Sequence, residues 1–146
     1  KQLHTIKVLR VQNGDLLITR SGTIGRVAYA TKRLVGVVVS DDMIRVRIKD
    51  ETIRFYAYAY LQSFAGYNQM LKNEYGSVQQ HLEAKHISTI LVPVPPEWDD
   101  VKQIVDATRA AIVAREKFEQ SFLSLMGETK TLLTTLIDGN SKKKKP

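Results

Sequence analysis

The chain has 146 residues, 43% hydrophobic and 25% charged, a composition that fits one globular domain with an appended element and argues against disorder along its whole length. Its 22 Lys and Arg against 15 Asp and Glu give a formal charge of +7, which favours an anionic partner, nucleic acid or a membrane surface. Cysteine is absent, which excludes disulfide scaffolds, thiol catalysis, zinc ribbons and iron–sulfur sites.

The first third reads as strands. Residues Ile6 to Val11 alternate roughly and run into the turn Asn13-Gly14-Asp15. A short β-rich run, Leu16 to Arg20, is followed by Ser21-Gly22-Thr23-Ile24-Gly25, with two glycines three apart, and then by a second run, Arg26 to Ala30. Val35 to Ser40 is apolar enough to predict a strand buried on both faces. Met43 to Ile48 alternates cleanly, which turns Ile44, Val46 and Ile48 inward and Arg45 and Arg47 outward.

Helical periodicity follows over residues 52–64, with Gly66 as the expected break and a shorter helix over 67–72. Tyr75 to Leu82 is a polar loop without either period, and Lys85 to Ile90 suggests one helical turn. The prolines of Leu91-Val92-Pro93-Val94-Pro95-Pro96 force an extended edge strand or connector, which is the natural domain boundary.

Beyond it, residues 99–138 predict one long helix, with Asp99 and Asp100 at its start and Gly139-Asn140 at its end. Positions stepping by three and four, from Val101, Ile104, Thr108, Ala111 and Arg115 to Phe118, Phe122, Leu125, Thr129, Leu132 and Leu136, are mostly apolar, as in a coiled-coil seam. At 1.5 Å per residue such a helix is roughly 60 Å long, about twice the width of a small domain. A core built from 96 residues cannot cover that stripe. Either the helix folds back at Gly127 or the stripe meets another helix.

The charge divides along these segments. Residues 1–96 carry 13 basic and 7 acidic side chains, residues 97–141 carry 5 and 8, and Lys142 to Lys145 form a basic tail of the kind that is usually solvated. The pull toward nucleic acid therefore belongs to residues 1–96, and the acidic, apolar-striped helix points to a protein partner. No apolar run is long enough to span a bilayer, and the start, Lys1-Gln2-Leu3-His4, has neither a Met nor a signal-peptide pattern. The chain thus reads as a piece of a longer protein in an intracellular, cytoplasmic setting.

Catalytic patterns are thin. There is no Gly-x-Ser-x-Gly elbow, and Ser21 to Gly25 matches neither a P-loop nor a dinucleotide fingerprint. His81 and His86 are five apart, not the four that place two metal ligands on one helix face. Pro95-Pro96 lacks the flanks of the adenine-methyltransferase motif. Glu83-Ala84-Lys85 matches only half of a nuclease signature and reads as a solvated surface pair. By contrast, Arg20 to Arg54 holds eight basic residues, and Gly76 to His81 offers two amides and an imidazole on a loop, groups suited to phosphates and base edges.

Taken in order, Gly14 to Gly25, Val39 to Val46, Tyr58 to Ser63, Gly76 to Leu82 and Ile90 to Pro96 ahead of a long helix resemble the specificity subunit of type I restriction-modification systems. The resemblance implies an α+β target recognition domain with a mixed β-sheet over 1–96 and a spacer or dimerisation helix forming a coiled coil over 97–140; the remaining 141–146 is expected, from its lysine run, to be a disordered basic tail. It implies sequence-specific recognition of double-stranded DNA, with no catalysis, metal or cofactor of its own. The implied partners are the methyltransferase (modification) subunit, the restriction subunit indirectly, and a second half-subunit or a second copy through the helix.

On this reading Arg20, Ser21, Thr23, Arg45, Arg47, Gln79, Gln80 and His81 are the candidate DNA contacts. Val101, Ile104, Phe118, Phe122, Leu125, Leu132 and Leu136 are the candidate helix interface. The loop departs from the family's Gly-Ser-x-Gln-Pro-His-Leu pattern at Gln80, which stands in place of Pro and leaves it less rigid. Only 13 residues precede Gly14, fewer than the family's domain usually has, so a partial recognition domain is expected. The competing reading is a helix-mediated protein-interaction module without DNA binding of its own.

Overall fold

The computed structural model describes residues 10–72 and 81–142, with side chains through Asp138. It is α+β, with two compact units, 1–112 and 113–146. In the first, strands β1 (Leu16–Thr19), β2 (Val27–Tyr29) and β3 (Met43–Val46) form an antiparallel sheet in the order β2-β1-β3. Leu16 stands opposite both Tyr29 and Val46, and Ile18 opposite Val27 and Ile44.

The central strand is covered on both faces. Leu16 and Ile18 enter the main core with Ile24, Tyr29, Phe55, Leu61 and Met70, while Leu17 joins Val11 and Ala30 in a smaller cluster on the opposite face. Ile44, Val46 and Ile48 pack against the main core, as their alternation predicts. The doubly buried strand is therefore Leu16–Ile18 and not the valine run. Val35, Val37 and Val38 are 45–53% exposed, and only an isolated bridge pairs Val38 with Arg10. The cause is Gly36, whose φ of +85° turns the chain so that its N–H donates to Val11 and the Val37 N–H to Leu34. Of the predicted first strand, only Arg10 and Val11 lie within the described residues.

Helix α1 (Glu51–Gln62) starts where the Asp50 carboxylate accepts from the Ile53 N–H at 2.8 Å. It stops at Ser63, not at Gly66. Ser63 ends α1 and caps α2 (Phe64–Leu71) by accepting from the Gly66 N–H at 3.2 Å. Gly66 lies inside α2, so close to α1 that an added Cβ would fall 2.2 Å from the Tyr60 carbonyl oxygen. Gly66 is therefore a glycine demanded by close approach and not a helix breaker.

A short helix, α3 (Ala84–Ser88), leads into the proline segment, which is a connector and not a strand. It is strapped down by Tyr56 Oη donating to the Pro93 carbonyl at 2.7 Å, and by the Gln69 amide, which pairs with both backbone groups of Leu91. Helix α4 then runs from Trp98 to Lys142 without a reversal at Gly127, and it continues through Gly139 and Asn140. Val101, Val105 and Ile112 close the main core, while Ile104 is 38% exposed. Of these three buried residues only Val101 is among the seam positions read from sequence.

In the second unit, Phe118, Phe122, Leu125, Leu132 and Leu136 are all exposed, with the Phe118 and Phe122 rings stacked at 6.3 Å. Arg115 and Glu119 pair at 2.9 Å one turn apart.

Candidate nucleic-acid interface

The glycine-punctuated segment is the β1–β2 hairpin loop. Thr19 organises it: its hydroxyl donates to the Thr23 carbonyl and accepts from the Arg26 N–H at 2.9 Å, while its carbonyl accepts from Gly25. Gly25 has a φ of +75° and packs against the Tyr67 ring, so the turn requires a glycine there. Thr23 is left exposed at the tip.

Arg20 joins this loop to two others. Its N–H donates to the Asp42 carbonyl at 2.8 Å, and its own carbonyl accepts from the Leu82 N–H at 3.0 Å. Ser21 adds a hydroxyl bond to the Asp42 carboxylate. The hairpin loop, the Asp41-Asp42 turn and the segment entering α3 therefore converge on one residue. Leu82 is fully buried, and its neighbour His81 is exposed beside this junction.

A groove of about 540 Å³ opens here, lined by Arg20, Ser40, Asp41, Arg45 and Glu83 together with Val39, Met43, Ile44 and Ala84. The Arg20 guanidinium reaches the Asp41 carbonyl at 3.4 Å through Nη1, while its Nε is shielded from solvent and has no hydrogen-bond partner among the described residues. Glu83 pairs with Lys85 at 2.9 Å, as its surface-pair reading anticipates. The Lys85 hydrogen bond and charge, helped by His86 and Arg20, hold the Glu83 carboxyl below the usual range, so it is an ionised acceptor at neutral pH.

Arg45 and Arg47 do share a face of the β3 segment, but neither projects freely. They converge on Asp15, a buried residue just before β1. Arg47 donates to both carboxylate oxygens, from Nε at 2.7 Å and Nη2 at 2.8 Å, and Arg45 Nε lies 3.7 Å away. Arg45 also donates to the Arg10 carbonyl at 2.8 Å. Burial alone would raise the Asp15 pKa; the Arg47 hydrogen bond, the Gln12 N–H and the charges of Arg47 and Arg45 outweigh it and hold the carboxyl below its usual value. Asp15 escaped sequence reading as an organising residue. The signal was there: an acid one step before a central strand, opposite two alternate arginines on the strand it pairs with.

Of the candidate contacts, then, Arg20 and Arg45 line the groove, Ser21 is bonded to the Asp42 carboxylate, Thr23 and His81 are exposed, and Arg47 shares Asp15 with Arg45. Gln79 and Gln80 lie outside the described residues. Arg26, Lys32, Arg33 and Lys49 are exposed and basic around the sheet. Among the described residues no cluster of three or more His, Asp or Glu is arranged to hold a metal ion, and no helix is long and apolar enough to cross a membrane.

A search of curated proteins returns no match. A family model does match: the type I restriction modification DNA specificity domain, over residues 1–110, a span that takes in the sheet, the groove and the first turns of α4. On that match, the chain belongs to the family of type I restriction-modification DNA specificity domains.

Proposed function

We propose that this chain reads double-stranded DNA in a sequence-specific manner, as a non-catalytic part of the specificity subunit of a type I restriction-modification complex. The observation that carries the reading is the junction at Arg20, where the Ser21–Gly25 loop and the segment following Gln79 and Gln80 are tied through the Leu82 N–H. A hairpin loop and a turn tied to one residue form the kind of rigid frame on which base-reading groups are commonly carried. Exposed Arg26, Lys32, Arg33 and Lys49 supply phosphate contacts, which position the protein without carrying sequence information. Arg20, Ser21, Thr23, Gln79, Gln80 and His81 supply base-edge contacts, and Arg45 and Arg47 add positive charge beside them.

The exposed apolar side chains from Phe118 to Leu136 favour a second role in the same molecule. Over this stretch the helix is a seam for a second helix, from another copy or another half-subunit, and a platform for the modification subunit, with the restriction subunit joining indirectly. The setting is the cytoplasm, where the target DNA is.

The test is selection from a randomised duplex library by the full chain, followed by titration of the enriched site across salt concentrations. A discrete enriched site is expected, with affinity falling linearly in log–log form as salt rises. Absence of binding to any duplex at low salt overturns the DNA reading and leaves the assembly role alone.

A further inference from the structure

Glu83 has no part in the reading so far, yet it lines the same groove as Arg20. A groove built only to hold phosphate would be lined by cations. This one alternates them with acceptors: Arg20 and Arg45 with Ser40, Asp41 and Glu83. A carboxylate repels a phosphate oxygen, but it is the natural acceptor for an exocyclic amine of a base, while a guanidinium is the natural donor to guanine O6 and N7.

From this juxtaposition we infer that Arg20 and Glu83 together read one guanine–cytosine pair in the major groove. Arg20 donates to the guanine edge, and Glu83 accepts from the cytosine N4 amine. The inference rests on the DNA-recognition reading and names a specificity-determining residue within it.

Three observations support the assignment. The Arg20 guanidinium engages one acceptor, the Asp41 carbonyl, from Nη1 at a long 3.4 Å, which leaves Nη2 for a base edge. The Arg20 backbone is fixed by Asp42 and Leu82, so its side chain starts from a held position. Glu83 is held at the start of α3, where its N–H donates to His86 Nδ1 at 3.2 Å, and its carboxylate, ionised at neutral pH, is purely an acceptor. An adenine–thymine pair lacks the guanine O6 acceptor that Arg20 needs.

The experiment compares the full-length wild-type chain with Glu83→Gln and Lys85→Ala in the same randomised-library selection. Glu83→Gln keeps the shape and adds an N–H donor. It is expected to relax discrimination at one guanine–cytosine position by roughly 5- to 100-fold, with the remaining positions and the salt dependence unchanged. Lys85→Ala is expected to keep the preference. If Glu83→Gln retains the wild-type preference at every position, or if both variants lower affinity evenly across sequences, the inference fails while the DNA reading stands. If the wild type enriches no sequence at all, the DNA reading itself falls and takes the inference with it.

Discussion

Asp15 and Arg47 form a two-pronged ion pair across the edge of the sheet, with both carboxylate oxygens engaged and the carboxylate almost wholly removed from solvent. The pair does structural work. It ties the turn before β1 to the end of β3, and the same carboxylate also closes that turn by accepting from the Gln12 N–H at 2.8 Å. Replacing Asp15 by Asn keeps the volume but leaves a buried group facing two guanidinium ions. A loss of about 2–3 kcal/mol is expected in a denaturant titration. No change in midpoint would show that solvent satisfies Arg47 equally well.

The same pair sets a pH dependence. The folded-state pKa of Asp15 lies below its ordinary value of 3.8, so its contribution is fully present above that value. It is lost as pH falls below 3.8 through the depressed folded value. Stability of the wild type should therefore decline more steeply below about pH 4 than that of Asp15→Asn. Parallel acid-unfolding curves for the two proteins would rule the linkage out.

Two glycines in helices should behave oppositely. At Gly66 a methyl group collides with the Tyr60 carbonyl and the Leu61 Cα, so Gly66→Ala is expected to cost about 3 kcal/mol by forcing α1 and α2 apart. At Gly127 an added methyl meets nothing within 4 Å, so Gly127→Ala should stabilise α4 by about 1 kcal/mol, seen as added helicity in far-ultraviolet circular dichroism.

Ser63 caps α2 and donates its hydroxyl to the Tyr60 carbonyl at 2.6 Å. Ser63→Ala should lower stability by about 1 kcal/mol, the usual worth of an N-cap side chain. A thermal melt that matches wild type would show that water replaces the cap.

The proposed seam has its own test. Phe122→Glu combined with Leu132→Glu places charges on exposed apolar positions, so the melting of the first unit should stay within about 0.5 kcal/mol of wild type. Light scattering should show a concentration-dependent dimer for the wild type and a monomer for the double variant. A wild type that stays monomeric at high micromolar concentration argues against self-pairing through this face.

How much of this was readable from the chain depends on whether the signal was local. The alternation of Ile44, Val46 and Ile48 placed β3 correctly because side-chain direction in a strand is fixed by parity. The Gly14-Asp15 turn, the hairpin loop and the long helix were likewise local signals. Burial was not. Val35 to Val39 and Leu16 to Ile18 are both apolar runs, but the turn at Gly36 takes the first out of the sheet and tertiary packing buries the second. Parity also put Arg45 and Arg47 on one face but could not show that Asp15, just before β1, waits there. Gly66 misled because a helix breaker and a close-approach glycine look identical in sequence. For the candidate site, Arg20 and Ser21 were legible from basic character and loop chemistry, whereas Glu83 needed the groove.

The burial of Val101, Val105 and Ile112 has a consequence for exchange kinetics along α4. Helical amides from Lys102 to Ile112 are anchored by side chains that share the core with Leu16 and Ile18, so their opening is coupled to unfolding of the domain. Those from Val113 to Asp138 belong to the other compact unit and rest on helical hydrogen bonds and whatever pairs with their apolar face. One unbroken helix therefore carries two protection regimes, and the step between them falls within a single turn after Ile112.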